Sequence, residues 1–401
     1  MQMPAPDEAI LSRRAEIAAA LEDIVGEAHV MADDASLKTY ESDGLSAYRQ
    51  MPLLVALPGT TKEVSRLLAY CAREGVKVVP RGAGTGLSGG ALPLADGITI
   101  GLGRLNRILE IDYANRVAVV QPGVANLAIS QAMDAAGFYY APDPSSQIAC
   151  SIGGNVAENS GGVHCLKYGL TTNNLLGLEL VLIGGEVIRI GGKEFDTDGY
   201  DLLGLITGSE GMLGIITEVT VRILPKPPVA QALLMGFASS DSAGRCVAGI
   251  IAAGIIPAGL ELMDGPAIKA AEEFCQAGYP LDAEAILICE LDGPEVEVAE
   301  LVRRVGDIAT ACEATSLRVS ASEAERQRFW LGRKSAFSAA GRIAPDYYVM
   351  DGTIPRRCLS EVLTRISELS TEYGLQVANV FHAGDGNLHP LILYDANVPG
   401  E

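Results

Sequence analysis

The stretch Pro80-Arg-Gly-Ala-Gly-Thr-Gly-Leu-Ser-Gly-Gly90 decides how this 401-residue sequence is interpreted. It follows an apolar run at 76–79 that predicts a strand. Five of its eleven residues are glycine, and glycines let backbone N–H groups converge on an anion because no side chain blocks the approach. Residues 84–89 match G-x-G-x-x-G, but Pro93 and Gly97 exclude the helix that a Rossmann loop needs there. No Gly-Lys-Ser/Thr ends the loop, so a P-loop is also excluded.

Two further glycine blocks follow along the chain. The second is Pro144-Ser-Ser-Gln-Ile-Ala-Cys-Ser-Ile-Gly-Gly-Asn155-Val-Ala-Glu-Asn-Ser-Gly-Gly162, and the third is Thr207-Gly-Ser-Glu-Gly-Met-Leu-Gly-Ile-Ile-Thr217. Their Ser and Asn side chains can hydrogen-bond a phosphate, a ribose or a heterocycle edge. Three such loops predict a long ligand with a phosphate-like section and a large heterocycle.

The patterning around these blocks predicts an α+β protein with two domains after an N-terminal helical segment. That segment is residues 1–50, the first domain is 51–228, and the second is 229–401; the proline cluster at 225–228 marks the boundary. We predict strands at 53–57, 76–79, 98–101, 117–120, 178–183, 187–190, 215–223, 232–237, 285–291, 377–381 and 388–394. Helices are predicted at 8–25, after the capping box at 60–63, and at 239–253, 295–310, 323–340 and 359–373. The second domain is expected to hold a largely antiparallel sheet with packed helices.

Composition excludes several classes of protein. The formal charge of −20 disfavours nucleic acid as a partner, and the 48% hydrophobic fraction excludes a disordered chain. No apolar run is long enough for a transmembrane helix. The N-terminus lacks a secretory signal, and the eight cysteines form no Cys-x-x-Cys pair. We therefore predict a cytoplasmic protein.

Two of the four histidines fall in Phe381-His-Ala-Gly-Asp-Gly-Asn-Leu-His-Pro390. Asp385-Gly386 is a strong signal for a two-residue hairpin loop. With that loop, His382 would pair directly with His389 on one face, close enough to bind one divalent ion together. Two histidines alone leave a catalytic metal site incomplete, since three protein ligands are usual.

The three glycine blocks together resemble the FAD-linked oxidases of the vanillyl-alcohol oxidase and p-cresol methylhydroxylase type. The resemblance runs from about residue 53 to the end of the chain. It implies a two-part FAD-binding domain in which 81–90 wrap the pyrophosphate, while 144–155 and 207–217 hold the adenosine and the isoalloxazine. The first loop has no His, so non-covalent FAD is expected. The resemblance assigns to FAD the residues Arg81, Gly82, Ala83, Gly84, Thr85, Gly86, Ser88, Gly89, Pro144, Ser145, Ser151, Gly153, Gly154, Asn155, Glu210, Gly211, Gly214 and Ile216.

The second half resembles FAD-linked 2-hydroxy-acid dehydrogenases, a family that includes D-lactate and D-2-hydroxyglutarate dehydrogenases. Three segments carry this resemblance, and they look most like the catalytic D subunit of glycolate oxidase. They are Glu323-x-Glu-Arg-x-Arg-Phe-Trp-x-Gly-Arg333-Lys334, Pro345-Asp-Tyr-Tyr-x-Met-Asp351-Gly-Thr-Ile-Pro-Arg-Arg357 and residues 381–397.

This resemblance implies oxidation of glycolate to glyoxylate by hydride transfer to flavin. Arg333 would bind the substrate carboxylate with help from Lys334, and a divalent metal (Zn, Mn or Fe) at His382 and His389 would lower the pKa of the hydroxyl. In the family a later Ser-Gly-Glu-His-Gly-Ile-Gly segment supplies a further metal ligand and a catalytic His. The sequence ends at Glu401 without that segment, so the expectation is a chain truncated in its cap domain, with an unfinished active site.

No cysteine spacing suits an iron–sulfur cluster. The expected electron acceptors are therefore partner subunits or a quinone, with peripheral association at the inner face of the membrane through those partners. Three alternatives stay open from the sequence: a D-lactate dehydrogenase, a non-catalytic FAD-binding subunit of an electron-transfer complex, and a metal-dependent hydrolase. The hydrolase leaves the glycine blocks unexplained.

Overall fold

The computed structural model describes residues 3–194 and 199–401. Met1 and Gln2, which begin the predicted N-terminal helical segment, and residues 195–198 of the predicted first domain lie outside the described residues. The chain divides into two compact units. Unit 1 comprises Met1–Gly161 and Gly169–Lys226, and unit 2 comprises Gly162–Tyr168 and Pro227–Glu401.

The described strands before the proline cluster are short. They are β1 (Val30–Met31), β2 (Leu54–Ala56), β3 (Lys77–Arg81), β4 (Gly97–Gly101), β5 (Ile108–Asp112), β6 (Val117–Val120), β7 (Phe138–Tyr139), β8 (Leu175–Val181), β9 (Val187–Gly191), β10 (Ile215–Arg222) and β11 (Leu224–Pro225). Within the described residues they form a mixed sheet in the order β1-β2-β4-β3, an antiparallel sheet in the order β5-β6-β10-β8-β9, and the pair β11-β7.

The helices of the same region lie between these strands. They are α1 (Glu8–Ser12), α2 (Arg14–Val25), α3 (Asp34–Lys38), α4 (Thr61–Glu74), α5 (Asn126–Met133), α6 (Ile152–Glu158), α7 (Cys165–Tyr168), α8 (Thr171–Asn174) and α9 (Leu202–Ile206), with 3-10 turns at Glu27–His29 and Asp134–Ala136. The helix predicted over 8–25 is two helices, because Arg13 leaves the helical backbone between them. Its guanidinium donates to Glu74 on α4 at 2.7 Å.

Helix α4 illustrates how local sequence sets these elements. The Thr60 side chain accepts the Glu63 N–H at 3.2 Å and begins the helix, while Gly75 ends it in the left-handed conformation with φ of 69°. Apolar residues three and four apart then face the sheet. Leu67 is fully buried there, in the core that α2, α4, β2 and β4 share.

The described strands of unit 2 form one antiparallel sheet in the order β15-β12-β14-β13-β18-β19-β16, with β17 also paired to β19. These strands are β12 (Val229–Phe237), β13 (Gly259–Asp264), β14 (Ala285–Gly293), β15 (Ala314–Val319), β16 (Asp346–Val349), β17 (Gly352–Thr353), β18 (Val377–His382) and β19 (Asn387–Tyr394). The helices are α10 (Ser240–Ala252), α11 (Gly265–Cys275), α12 (Glu295–Ala311), α13 (Glu323–Ala340) and α14 (Leu359–Tyr373), with a 3-10 turn at Arg356–Cys358.

The two faces of this sheet build two separate cores, because successive side chains on a strand point to opposite faces. Leu233, Leu260 and Leu287 pack against α10, α12 and α14 on one face. Leu234 and Met263 pack against α11 and α13 on the other, which we call the α13 face. The α+β prediction with an antiparallel second sheet is confirmed. In unit 2, strands β13, β15, β16 and β17 and helix α11 were not among the predicted elements.

No helix in the described ranges 3–194 and 199–401 is long and apolar enough to cross a membrane.

The packing of α4 predicts that Leu67→Ala will destabilise unit 1 by about 2–5 kcal/mol. The Leu67 side chain is fully buried, so its removal leaves a cavity in the core. Chemical denaturation followed by circular dichroism measures this loss. Lys62→Ala, on the exposed side of the same helix, is the control and should change stability by less than about 0.5 kcal/mol. Equal losses in the two variants would contradict the packing described.

Candidate functional site

The first glycine loop presents a row of unused backbone donors. Among the described residues, none of the N–H groups of residues 82–90 donates a hydrogen bond within the chain. Most of these residues are half-exposed, and Ala83, Leu87 and Ser88 are exposed. Backbone N–H groups that are accessible and unpaired are the usual means of holding a phosphate group.

The half-buried guanidinium of Arg81 supports this loop. Arg81 Nη1 donates to the Ser42 carbonyl at 2.7 Å, and burial lowers the pKa of Arg81. A Cβ on Gly84 would overlap the Arg81 guanidinium, and Gly84 has a φ of +71°. A Cβ on Gly44 would lie 2.7 Å from the Gly86 carbonyl oxygen. The segment 42–44 thus packs against the loop. The sequence did not predict this contact, because the segment carries no motif of its own.

The three glycine blocks meet in unit 1, as the sequence predicted for a single long ligand. A Cβ on Gly82 would overlap Ser151 Oγ of the second block. In the third block, the N–H of Gly208 donates to Val156 O and the N–H of Glu210 to Ala157 O, both at 2.9 Å. The blocks therefore form one surface, which we call the glycine cradle.

Ser151 is the polar side chain that stands out in the cradle. It is buried, and its Oγ has no hydrogen-bond partner among the described residues. A buried hydroxyl without a partner costs free energy. A ligand atom that bonds Ser151 beside Gly82 would remove that cost, so the cradle fits a polar, phosphate-bearing group at this point.

The far end of the first loop is acidic. A Cβ on Gly90 would lie 2.9 Å from Glu158 Oε1. Burial, together with the Glu210 and Asp43 carboxylates, raises the pKa of Glu158. Because carboxylates repel an anion, residues 82–86 are better suited to a phosphate group than the part of the loop beside Gly90.

For three of the residues that the resemblance assigns to FAD, packing within the protein is enough to explain the residue type. A Cβ on Gly153 would lie 2.5 Å from Pro122 Cβ, and one on Gly214 would lie 2.8 Å from the Val181 carbonyl oxygen. Ile216 is buried in the core of the antiparallel sheet. Their contact with a cofactor stays a prediction.

The predicted pairing of His382 with His389 is wrong by two residues. His382 pairs with Asn387, and His389 pairs with Val380, so the connection is the four residues 383–386. The reason lies in the turn: Gly384 donates its N–H to Leu260 on β13 at 3.0 Å, and is not available to pair with Asn387.

The two imidazoles nevertheless meet. Both lie on the α13 face, one strand apart and diagonal to each other, and diagonal neighbours are within reach of ring side chains. Their centroids are 5.0 Å apart and their planes are nearly perpendicular, at 89°.

A buried carboxylate on the neighbouring strand joins this histidine pair to the predicted substrate arginine. Glu261 Oε1 lies 2.8 Å from His382 Nδ1, and Glu261 Oε2 lies 2.7 Å from Arg333 Nη2. Burial alone would raise the pKa of Glu261, but His382 and Arg333 outweigh it and hold the pKa below its ordinary value. Sequence reasoning missed Glu261, although an acidic residue inside the apolar run 260–263 was a signal.

Helix α13 places Arg333 through one continuous stripe of side chains. Arg326, Trp330, Arg333 and Phe337 recur at helical spacing and face the sheet. Arg326 and Trp330 donate to Glu290 on β14, Arg333 pairs with Glu261 on β13, and the Phe337 ring lies 6.1 Å from that of His389 on β19. Lys334 is half-buried and lies about 100° further round the helix.

The Arg333 guanidinium is fully buried, and none of its nitrogens makes a hydrogen bond of good geometry in the described part of the chain. Its contact with Glu261 is an ion pair in which the N–H bonds are not aligned with the carboxylate oxygens. A planar cation with five donors left unused matches the bidentate geometry of a carboxylate.

A second carboxylate, that of Asp351, lies beside His389. Asp351 Oδ1 lies 3.4 Å from His389 Nδ1. Burial alone would raise the pKa of Asp351, but the His389 contact outweighs it and lowers that pKa. Within the described residues, no group of three or more His, Cys, Asp or Glu side chains is arranged to hold a metal. The donor set is thus two imidazoles with carboxylates behind them.

Residues 162–168 begin at the last glycine of the second block and belong to unit 2. His164 Nε2 lies 3.2 Å from Glu290 Oε1, and Lys167 and Tyr168 both bond Asp292. Burial alone would raise the pKa of Glu290, but His164, Arg326 and Trp330 outweigh it and lower that pKa to about 2. Strand β14 therefore fixes this segment through two acidic side chains.

Two family models match the chain. One, described as an FAD binding domain, covers residues 52–191. The other, described as FAD linked oxidases, C-terminal domain, covers residues 226–401.

Curated relatives match over most of their length. The chain is 60% identical to the glycolate oxidase subunit GlcD of Escherichia coli (strain K12), over 97% of this chain and 78% of that protein. It is 41% identical to the glycolate oxidase subunit GlcD of Bacillus subtilis (strain 168), over 89% of this chain and 76% of that protein. A D-lactate dehydrogenase of Anaerostipes hadrus is 31% identical, over 90% of this chain and 78% of that protein.

Solved structures share the fold at low identity. p-Cresol methylhydroxylase with substrate bound aligns with a TM-score of 0.82 at 16% identity, over 99% of this chain and 85% of that chain. The 4-ethylphenol oxidase of Gulosibacter chungangensis aligns with a TM-score of 0.79 at 18% identity, over 98% of this chain and 84% of that chain.

The cradle geometry predicts that Gly84→Ala will weaken FAD binding roughly ten-fold, because alanine at this positive φ costs about 1–2 kcal/mol and its Cβ displaces Arg81. The flavin-to-protein absorbance ratio after dilution measures the effect. Gly103→Ala is the control, since Gly103 is exposed and a Cβ there meets nothing. Unchanged FAD affinity in Gly84→Ala would contradict the proposed cradle.

Proposed function

We propose that this chain, which belongs to the family of FAD-linked oxidases, oxidises a small 2-hydroxy acid, with glycolate as the preferred substrate. The observation that carries the proposal is the buried, unsatisfied guanidinium of Arg333 beside the histidine pair. The names of the bacterial relatives, glycolate oxidase subunits, support glycolate as the acid.

The glycine cradle of unit 1 is the proposed FAD site. Residues 82–86 offer their N–H groups to the pyrophosphate, and Ser151 offers its hydroxyl. FAD, when bound, supplies a hydride acceptor at N5 for the hydrogen on the substrate C2. We expect non-covalent FAD, since the loop 81–90 has no His.

Arg333 is the proposed carboxylate-binding residue. Its three nitrogens lie in a dry environment on the α13 face, where a charge-assisted pair of hydrogen bonds is stronger than in water. The two hydrogen bonds fix the plane of the carboxylate and the direction of the C1–C2 bond, and a second contact at the hydroxyl would then fix the direction of the C2–H bond. We propose Lys334 as a second cation near this site.

His382 and His389 are the proposed ligands of a divalent cation. Glu261 and Asp351 lie against the two Nδ1 atoms, which leaves each Nε2 as the ligand atom. A cation such as Zn²⁺, Mn²⁺ or Fe²⁺, when bound, lowers the pKa of the substrate hydroxyl. Two imidazoles are an incomplete donor set for a catalytic metal, so a cation held by them would keep positions open for the oxygens of a substrate.

Electron-accepting partners complete the proposed function. The relatives are named as subunits of glycolate oxidase, which supports partner subunits for this chain as well. We propose that these subunits, or a quinone, take electrons from the reduced flavin at the inner face of the membrane. The acidic surface implied by a charge of −20 favours partners that present a basic patch.

D-Lactate is the second candidate substrate, because D-lactate dehydrogenases are also among the relatives. D-Lactate is glycolate with a methyl group on C2, and a hydrophobic pocket distinguishes one such group by only about 1–3 kcal/mol. The carboxylate and hydroxyl chemistry at Arg333 and the histidines would be the same for both acids.

Anaerobic flavin reduction tests the reaction. The full-length protein, with bound flavin and added Mn²⁺, should lose its visible flavin absorbance with glycolate and at least ten-fold more slowly with D-lactate. Ethylene glycol, which replaces the carboxylate with an alcohol, is the control and should leave the flavin oxidised. Faster flavin reduction by D-lactate than by glycolate would support the D-lactate alternative. No flavin reduction by either acid would support the alternative of a non-catalytic FAD-binding subunit.

The role of Arg333 predicts that Arg333→Lys will lower kcat/KM for glycolate roughly 10- to 100-fold, since a hydrogen bond to a charged group contributes about 1.5–3 kcal/mol. The substitution keeps the charge and loses the bidentate geometry. Arg326→Lys on the same helix is the matched control and should change kcat/KM by less than three-fold, because Arg326 pairs with Glu290. Equal effects of the two substitutions would contradict the assignment.

A further inference from the structure

Glu261 contacts the proposed carboxylate site and the proposed metal site at the same time. One oxygen lies 2.8 Å from His382 Nδ1 and the other 2.7 Å from Arg333 Nη2. Both the Glu261 and Arg333 side chains are 1% exposed, so water does little to screen either contact.

The charges predict a competition at Glu261. With no cation on the histidines, Glu261 neutralises Arg333, and an arriving carboxylate meets a guanidinium already paired with an anion. A divalent cation on the Nε2 side of His382 draws the Glu261 charge toward the imidazole. The guanidinium is then left with a net attraction for a second carboxylate.

We propose that Glu261 is a positioning residue that makes carboxylate binding at Arg333 depend on the cation at His382 and His389. The inference rests on the proposed function and deepens it. It predicts that the acid binds more tightly to the cation-loaded protein than to the cation-free protein. The two ligands must then strengthen each other by the same factor, because coupling between two binding sites is reciprocal.

The same contact orients His382. A carboxylate only accepts hydrogen bonds, so Glu261 Oε1 fixes the proton on Nδ1 and leaves Nε2 with its lone pair. Replacing Glu261 with glutamine therefore acts on the two ligands in opposite directions. It weakens the hold on the cation, and it removes the negative charge that opposes a carboxylate at Arg333.

Glu290 provides a matched control. It is also a buried glutamate on the α13 face, and its partners are again a histidine and an α13 arginine, His164 and Arg326. These partners belong to neither proposed binding site. A purely structural loss of a buried carboxylate should therefore appear in Glu290→Gln as well as in Glu261→Gln.

The test combines two probes on the full-length, FAD-loaded protein. Calorimetric titration with Co²⁺ measures cation affinity, and titration with oxamate, which has no oxidisable hydroxyl, measures carboxylate affinity with and without bound Co²⁺. In the wild type, oxamate should bind the Co²⁺-loaded protein at least ten-fold more tightly than the metal-free protein. Saturating oxamate should tighten Co²⁺ binding by the same factor.

Glu261→Gln should weaken Co²⁺ binding about 10- to 100-fold and tighten oxamate binding to the metal-free protein, so that the dependence on Co²⁺ falls below three-fold. Glu290→Gln should leave both affinities within three-fold of the wild type. Thermal unfolding reports whether each variant is folded. Glu261→Asp, which keeps the charge but shortens the reach to His382 and Arg333, is the second variant, and it should also reduce the dependence of oxamate binding on Co²⁺.

Two outcomes overturn this inference alone: oxamate binding to the wild type that is independent of Co²⁺, or Glu261→Gln with unchanged Co²⁺ affinity. Failure of the proposed metal site is distinguished by the variant carrying His382→Ala and His389→Ala. Wild-type Co²⁺ affinity in that double variant would mean that the cation binds elsewhere, whatever Glu261 does.

Discussion

A carboxylate without access to water has to be matched by cationic or hydrogen-bonding neighbours, and Glu261 imposes this requirement on unit 2. Arg333 from α13 and His382 from β18 meet it. Breaking a buried pair by removing one partner is strongly destabilising, at about 3–5 kcal/mol. The helix must therefore keep its angular position on the sheet. Gly332 assists, since a Cβ there would overlap the Tyr279 ring of the segment that follows α11.

The glycine cradle differs from the Glu261 site, because its polar groups have no partners in the described chain. The N–H groups of residues 82–90 and the hydroxyl of Ser151 have no acceptor within the described chain. The loop holds its shape instead through Arg81, which donates to the Ser42 carbonyl, and through the close approach of Gly44 to Gly86. A ligand that satisfies such groups binds only the folded state, and it raises the free energy of unfolding by an amount that grows with the logarithm of the ratio of ligand concentration to Kd.

Elements with a clear period could be predicted from the sequence, and details set by tertiary contacts could not. Helices α13 and α14 begin and end at the predicted residues, since their caps and apolar spacing are local. The histidine register failed because a neighbouring strand, through Leu260, takes the Gly384 N–H that a two-residue loop requires. Strand β13 was missed because Glu261 interrupts its apolar run, and the same residue proved to link Arg333 with His382. The three glycine blocks were recognised together, whereas segment 42–44 has no pattern that would reveal its role beneath them.

Because residues 162–168 belong to unit 2 but lie within the sequence of unit 1, one break in the chain cannot separate the two units. A fragment that starts at Pro227 would contain β14 but would lack His164, Lys167 and Tyr168, which bond Glu290 and Asp292. Both carboxylates would lose partners in a sheet that otherwise folds from contiguous sequence. Gene-level dissection or recombination between relatives at the proline cluster would therefore damage the second unit. Any workable exchange of this unit has to move two stretches of coding sequence together.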